Sequence, residues 1–161
     1  MKCGMDEDNL QKIRSVADYQ FGKCVGAKLF PDTVRIVYSK NTGKIRHIHL
    51  EEEMLATLQP TNGLLVLTIT GAKRMVREVN PLRGWVKIQD DVESFISKGR
   101  SAFAKHVTDA DDEIRPNEEV IVVNSKNEVL AVGRALLSGT EMKAFSRGIA
   151  VRVRRGVTEK S

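Results

Sequence analysis

The chain has 161 residues, 29% of them charged, and a formal net charge of +5. That is enough for one ordinary domain or two small ones with modest cores. No run of about 18 apolar residues occurs, so no membrane-spanning helix is expected. The start, Met1-Lys2-Cys3-Gly4-Met5-Asp6, turns acidic without the apolar stretch of a secretion signal. Cys3 and Cys24 are too few for a disulfide framework and lack the Cys-x-x-Cys spacing of a zinc site. Reduced thiols in a cytoplasmic protein are the expectation.

In chain order, Leu10, Ile13 and Ala17, joined by Val16, recur at helical spacing and predict a helix from Asp8 to Tyr19. Asp6 and Asp8 suit its start, where carboxylates meet free backbone N–H groups. A short second helix fits Gly22 to Phe30 and stops at Pro31-Asp32. The β-branched run Thr33 to Tyr38, the turn Ser39 to Lys44 with Gly43, and the run Ile45 to Leu50 predict a hairpin. After Glu51-Glu52-Glu53, Met54 to Gln59 reads as a strand and Pro60 to Gly63 as a turn. Leu64 to Ile69 is apolar except for Thr68. Periodicity leaves it open as a buried strand or as the start of a helix. Ala72 to Glu78 reads as helical.

Asn80-Pro81-Leu82-Arg83-Gly84 carries two chain breakers and marks a domain junction. Trp85 to Ile88 opens a second unit. Asp90-Asp91 then cap a helix with Val92, Phe95 and Ile96 on its apolar side, and Gly99 stands where a C-terminal glycine belongs. A strand from Ser101 to Val107, an acidic loop from Asp109 to Glu113 and a strand from Glu119 to Asn124 follow. The turn Ser125-Lys126-Asn127 leads into a strand from Val129 to Leu137. Ser138 caps a turn of helix from Gly139 to Phe145, and Gly148 opens a last strand, Ile149 to Arg154. Several short strands with one early helix point to a small closed sheet.

The last strand is the sharpest chemical signal. Ile149, Val151 and Val153 share one face. Arg152 and Arg154 share the other, extended by Arg155 and preceded by Arg147. Alternate strand positions stand about 6–7 Å apart, near the phosphate spacing of an extended nucleic-acid strand. The plain alternative is a solvated strand face. Lys98-Gly99-Arg100-Ser101 joins a glycine that admits close approach to flanking positive charge. Its alternative is a helix cap with a basic rim, and it lacks the spacing of a P-loop. Phe103, just before Lys105 and His106, reads as a core aromatic, because aromatic residues make up only 5% of the chain. Such a chain suits recognition of folded RNA better than single-strand stacking.

Other clusters carry less. His47 and His49 lie two apart, as metal ligands on a strand do, but no third ligand is near and no metal is expected. The runs Glu51 to Glu53 and Asp109 to Glu113 fit solvated loops rather than a cleft that would shift their pKa. No nucleophile, base and orienting group in a defensible order is present, so a catalytic role is not expected.

Gly99 to Val107, Glu118 to Val123, Val132 to Met142 and Gly148 to Arg154 together are similar to PUA domains, RNA-binding modules, over roughly the last 80 residues. Val16 to Gly22, Ser39 to Arg46 and Leu55 to Leu58 resemble the domain before the PUA domain in archaeal archaeosine tRNA-guanine transglycosylases. That family's catalytic barrel, with its paired aspartates and zinc site, has no counterpart in this sequence. The resemblance implies an α+β protein. A small N-terminal α/β-sheet domain, residues 1–80, would be followed by a PUA-type mixed β pseudo-barrel, residues 81–161. It further implies RNA docking, tRNA favoured and rRNA possible, at the acceptor stem and 3′ end. Carried over by position, the face would comprise Lys98, Gly99, Arg100, Ser101, Lys105, Arg134, Arg152 and Arg154. No cofactor is expected, and a separate RNA-modifying enzyme is a possible partner. The alternatives are a ribosome-associated factor, or a protein-binding subunit using Leu64 to Ile69 as an exposed interface.

Overall fold

The computed structural model describes residues 3–159, with side chains from Glu7 onward. They divide into two compact units that meet in sequence between Val79 and Asn80.

In the first unit, α1 (Cys3–Phe21) and α2 (Val25–Leu29) precede an antiparallel meander. Its strands are β1 (Arg35–Tyr38), β2 (Ile45–Leu50), β3 (Glu53–Leu58) and β4 (Leu65–Leu67), in that spatial order. Helix α3 (Ile69–Glu78) closes the unit. The helix α1 starts at Cys3, so Asp8 lies inside it rather than at its start. The side chains of Cys3 and Asp6 lie outside the described residues. Ile13, Ala17 and Phe21 recur every fourth residue on α1 and are buried, with Leu29, Ile48, Leu55 and Met75 among their fellow core residues. The ambiguous apolar run is both strand and helix start. Leu65 and Leu67 are buried in β4, and Thr68 caps α3 by accepting a hydrogen bond from the Gly71 N–H at 3.0 Å. Leu65 and Leu67 therefore belong to the core, while Leu64, Val66 and Ile69 are half-buried. The Gln20 side-chain amide on α1 pairs with Leu65 of β4, donating to its carbonyl at 3.0 Å and accepting from its N–H at 2.6 Å. A strand edge is thereby satisfied by a helix side chain.

The second unit is built on a six-stranded mixed sheet. Its strands are β5 (Trp85–Ile88), β6 (Ala102–Phe103), β7 (Val107–Ala110), β8 (Glu119–Val123), β9 (Val129–Ala135) and β10 (Ile149–Gly156). The spatial order is β6-β10-β9-β8-β5-β7, and β5 with β8 is its parallel pair. A 3-10 turn at Asp90–Val92 leads into α4 (Glu93–Ser97), and α5 (Gly139–Ala144) packs beside β7 and the 3-10 turn Ala104–His106. Val86, Ile96, Val122, Leu130, Met142 and Val151 are among the core of this unit. Ser138 forms the expected cap of α5: its hydroxyl accepts from the Glu141 N–H, and the Glu141 carboxylate accepts from the Ser138 N–H at 2.9 Å. The strand expected from Ser101 to Val107 is instead broken. Its middle, Ala104–His106, turns as a 3-10 helix whose first N–H is taken by the Gly148 carbonyl at 2.9 Å. The α+β class expected from the sequence holds for both units. No helix among the described residues is long and apolar enough to cross a membrane.

Candidate nucleic-acid interface

The arginine face of β10 forms, with Val151 buried and Arg152 and Arg154 exposed, but the alternation breaks at Ala150, which is buried next to Val151 where the pairing with β6 shifts register. The two arginines then behave differently. Arg152 stands directly opposite Arg134 of β9, and cross-strand partners present their side chains to one face. Both are exposed. Among the described residues neither side chain has a salt bridge or a hydrogen bond. Arg154 instead grips Glu119 of β8 through a two-pronged pair, 2.8 Å to one carboxylate oxygen and 2.5 Å to the other. The Glu119 side chain is only 7% exposed. A bulge between Val153 and Arg155 shifts the register here and leaves Arg154 opposite no single residue of β9. Glu119 is the register partner of Arg134, yet its carboxylate serves Arg154.

The loop after α4 lies at the far end of β10. Lys98 and Arg100 are exposed. Gly99 has φ +101°, and the Arg100 N–H reaches back to the Phe95 carbonyl at 3.1 Å. This is the helix-ending glycine geometry that an L side chain rarely adopts. The chain's own end packs onto the loop. The Thr158 N–H and hydroxyl both donate to the Ser97 carbonyl at 2.9 Å. A Cβ on Gly156 would collide with that same carbonyl, so only glycine fits the crossing. The Glu159 carboxylate carbon lies 3.1 Å from where a Cβ on Gly99 would stand. The glycine slot is therefore flanked by an acid, not open.

Lys105 sits on the 3-10 turn beyond β6, near the start of β10, since Phe103 pairs with Ile149. The sequence-derived residues thus form a strip rather than a cluster. It runs about 20 Å along β10, from the Gly99 loop, past Arg134 and Arg152, to Lys105. Ser101 lies half-buried between the loop and β6.

Two aromatic expectations fail. Phe95 is not on a buried side of α4, being 56% exposed, and Phe103 is not a core aromatic: it is 42% exposed. Its ring meets His106 edge-on at 5.7 Å, with the Lys105 ammonium 6.0 Å above it. Phe145 is also exposed. Strand parity carried the missing signal, because Ala102 is buried and Phe103, the next residue, must point the other way.

The remaining clusters have structural uses. Asp111 accepts from the Gly84 N–H at 2.7 Å and from the Glu113 N–H at 3.0 Å. Asp112 pairs with Lys143, and that hydrogen bond holds the ammonium above its ordinary pKa. Burial, the Arg46 charge and His49 hold His47 below its ordinary value. Its Nδ1 lies 3.3 Å from the Thr57 hydroxyl. Among the described residues no three metal-ligating side chains gather, and the Cys24 thiol is free and exposed.

Comparison with known proteins accounts for both units. Residues 11–81 match the patch-forming domain C2 of tRNA-guanine transglycosylase, and residues 84–157 match the PUA domain. The chain is 46% identical over 149 residues to the tRNA-guanine(15) transglycosylase of Methanothermobacter thermautotrophicus, covering 92% of this chain and 23% of that protein. It is 47% identical to the Thermococcus kodakarensis enzyme, covering 90% of this chain and 25% of that one. It therefore spans about a quarter of the length of these archaeal relatives. Among solved structures, a protein of Pyrococcus horikoshii superposes with a TM-score of 0.77 at 22% identity, over 95% of this chain and 92% of that one. A conserved PUA domain protein of Thermoplasma acidophilum superposes at 0.69 and 19%, over 96% of this chain and 91% of that one. The chain thus belongs to the PUA-domain proteins, with a transglycosylase-type C2 domain before its PUA domain, and it is similar to the C-terminal region of the archaeal tRNA-guanine transglycosylases.

Proposed function

We propose that this chain is a non-catalytic RNA-binding protein that docks structured RNA, tRNA in the first place, as an accessory to tRNA modification. The observation that carries the proposal is the Arg134–Arg152 pair. Like charges directly opposite on neighbouring strands destabilise a sheet, and among the described residues neither arginine has a salt bridge, since Glu119, opposite Arg134 on β8, pairs with Arg154. A phosphate between them would supply the missing counter-charge, and its neutralisation would release condensed counterions. Lys98, Arg100 and Lys105 extend the same strip of positive charge, and Phe103 offers a face on which an unpaired base stacks. The PUA match supports RNA as the ligand, and the relatives' name supports tRNA modification as the setting. Arg154 has a lesser role in this reading, since its fork is already filled by Glu119.

The test is retention of total small RNA by the purified protein at low and moderate salt, with sequencing of what stays bound. Enrichment of tRNAs is expected. Enrichment of ribosomal fragments would replace tRNA by rRNA, and no retention at low salt would remove RNA binding altogether.

A further inference from the structure

The first unit holds a cleft of about 700 Å³ that the RNA-docking strip does not use. We propose that it is a second ligand site, for a nucleoside monophosphate unit, taken either as a free nucleotide or as one residue of an RNA strand.

Three features of its walls carry the inference. First, the lining includes Lys12, Lys44 and Arg46 and contains no Asp or Glu. All three cations are exposed, and among the described residues none has a salt bridge. Elsewhere in the same unit Arg14 and Arg77 do have acidic partners. A concave surface with one sign of charge focuses its field on a counter-ion. Second, two turns of the same construction form one rim. In Ser39 to Lys44 the Gly43 N–H donates to the Ser39 carbonyl at 2.8 Å; in Gln59 to Leu64 the Gly63 N–H donates to the Gln59 carbonyl at 2.9 Å. Both glycines have φ +71°, and nothing lies within 4 Å of where a Cβ would stand. A ligand can therefore come close to both backbones. Third, the same lining holds apolar groups: Val16, Leu58, Pro60 and the ring of Tyr38, whose hydroxyl accepts from the Asn9 side chain at 2.9 Å.

Cationic and apolar groups within one lining match a ligand that joins an anionic group to an apolar ring. Neutral hydrogen-bonding groups share that lining, and the volume falls within the roughly 300–1,000 Å³ of small-molecule pockets. A bare anion would leave the apolar groups unused. A nucleoside monophosphate uses both. The site stands apart from the RNA-docking reading, whose residues all belong to the second unit.

The experiment is titration of the full chain with 5′-AMP, inorganic phosphate and a tetra-adenylate, read by NMR at the Gly43 and Gly63 amides. The variants are Lys44→Glu with Arg46→Glu, and separately Arg134→Glu with Arg152→Glu. Both glycine amides are expected to shift with 5′-AMP, the tetra-adenylate, or both. Tighter binding of the nucleotide marks the free compound as the ligand, and tighter binding of the oligomer marks an RNA strand. At the Gly43 and Gly63 amides the unit 1 variant is expected to weaken binding about tenfold or more, and the unit 2 variant to leave the 5′-AMP titration of those amides unchanged. Four results would overturn the proposal: no shift with either nucleotide probe, equal binding of inorganic phosphate and 5′-AMP, indifference to the unit 1 substitutions, or loss of the 5′-AMP shifts at these two amides with the unit 2 substitutions.

Discussion

The arginines of the two units are used in different ways. In the first unit two of them, Arg14 and Arg74, close the fold. Arg14 donates to the Phe30 carbonyl at 2.8 Å and pairs with Asp32, and Arg74 donates to the Lys28 and Leu29 carbonyls at the end of α2. In the second unit Arg134 and Arg152 face each other across two strands with no acid between them. Within β10 the contrast repeats over two residues: Arg152 has no partner among the described residues, while Arg154 holds a nearly buried carboxylate. A count of positive charge cannot separate these cases. The bonding state of each guanidinium does, because a filled fork has little left to offer a phosphate.

Five variants sharpen this comparison. Arg134→Glu with Arg152→Glu is expected to lower tRNA affinity about 100-fold at moderate salt, as roughly 1.4 kcal/mol per lost phosphate contact implies. Fluorescence anisotropy measures it. The single change Arg152→Glu should weaken RNA binding and yet raise stability by about 0.2–1 kcal/mol, because it sets opposite charges across the pair. A drop in melting temperature would show that Arg152 is a structural residue instead.

Arg154→Ala should do the reverse. It strands the Glu119 carboxylate, and a loss of about 1–3 kcal/mol of stability follows, with little change in RNA affinity. Thermal melts and binding on the same sample decide it. Phe103→Ala should reduce affinity for RNA with an unpaired 3′ end about fivefold, near 1 kcal/mol, and leave a blunt duplex unaffected. The smallest effect expected is that of Glu159→Gln. Removing the half-buried acid beside Gly99 should raise RNA affinity roughly twofold, and the gain should vanish at high salt.

Much of this was legible in the sequence where the information is local. The α1 stripe, the turn glycines, the Ser138 cap and the alternation of β10 all rest on neighbours within four residues. The Leu64–Ile69 run stayed open because a buried strand and a helix start are both apolar, and it proved to contain both. Only Thr68, whose hydroxyl caps α3, divides them. The Phe103 reading failed because composition was weighed above strand parity. What could not be read was long-range. The Arg154–Glu119 fork joins residues 35 apart in sequence and depends on a bulge that no local pattern marks. The Glu159 carboxylate beside Gly99 depends on how the chain returns past α4.

The most direct measurement is the salt dependence of tRNA binding, wild type against Arg134→Glu with Arg152→Glu. If this pair neutralises phosphates, the logarithmic slope of affinity against salt should be shallower by about 1.4–1.8 in the variant, near 0.7–0.9 per contact. An unchanged slope would mean that the paired arginines touch no phosphate, and it would contradict the account.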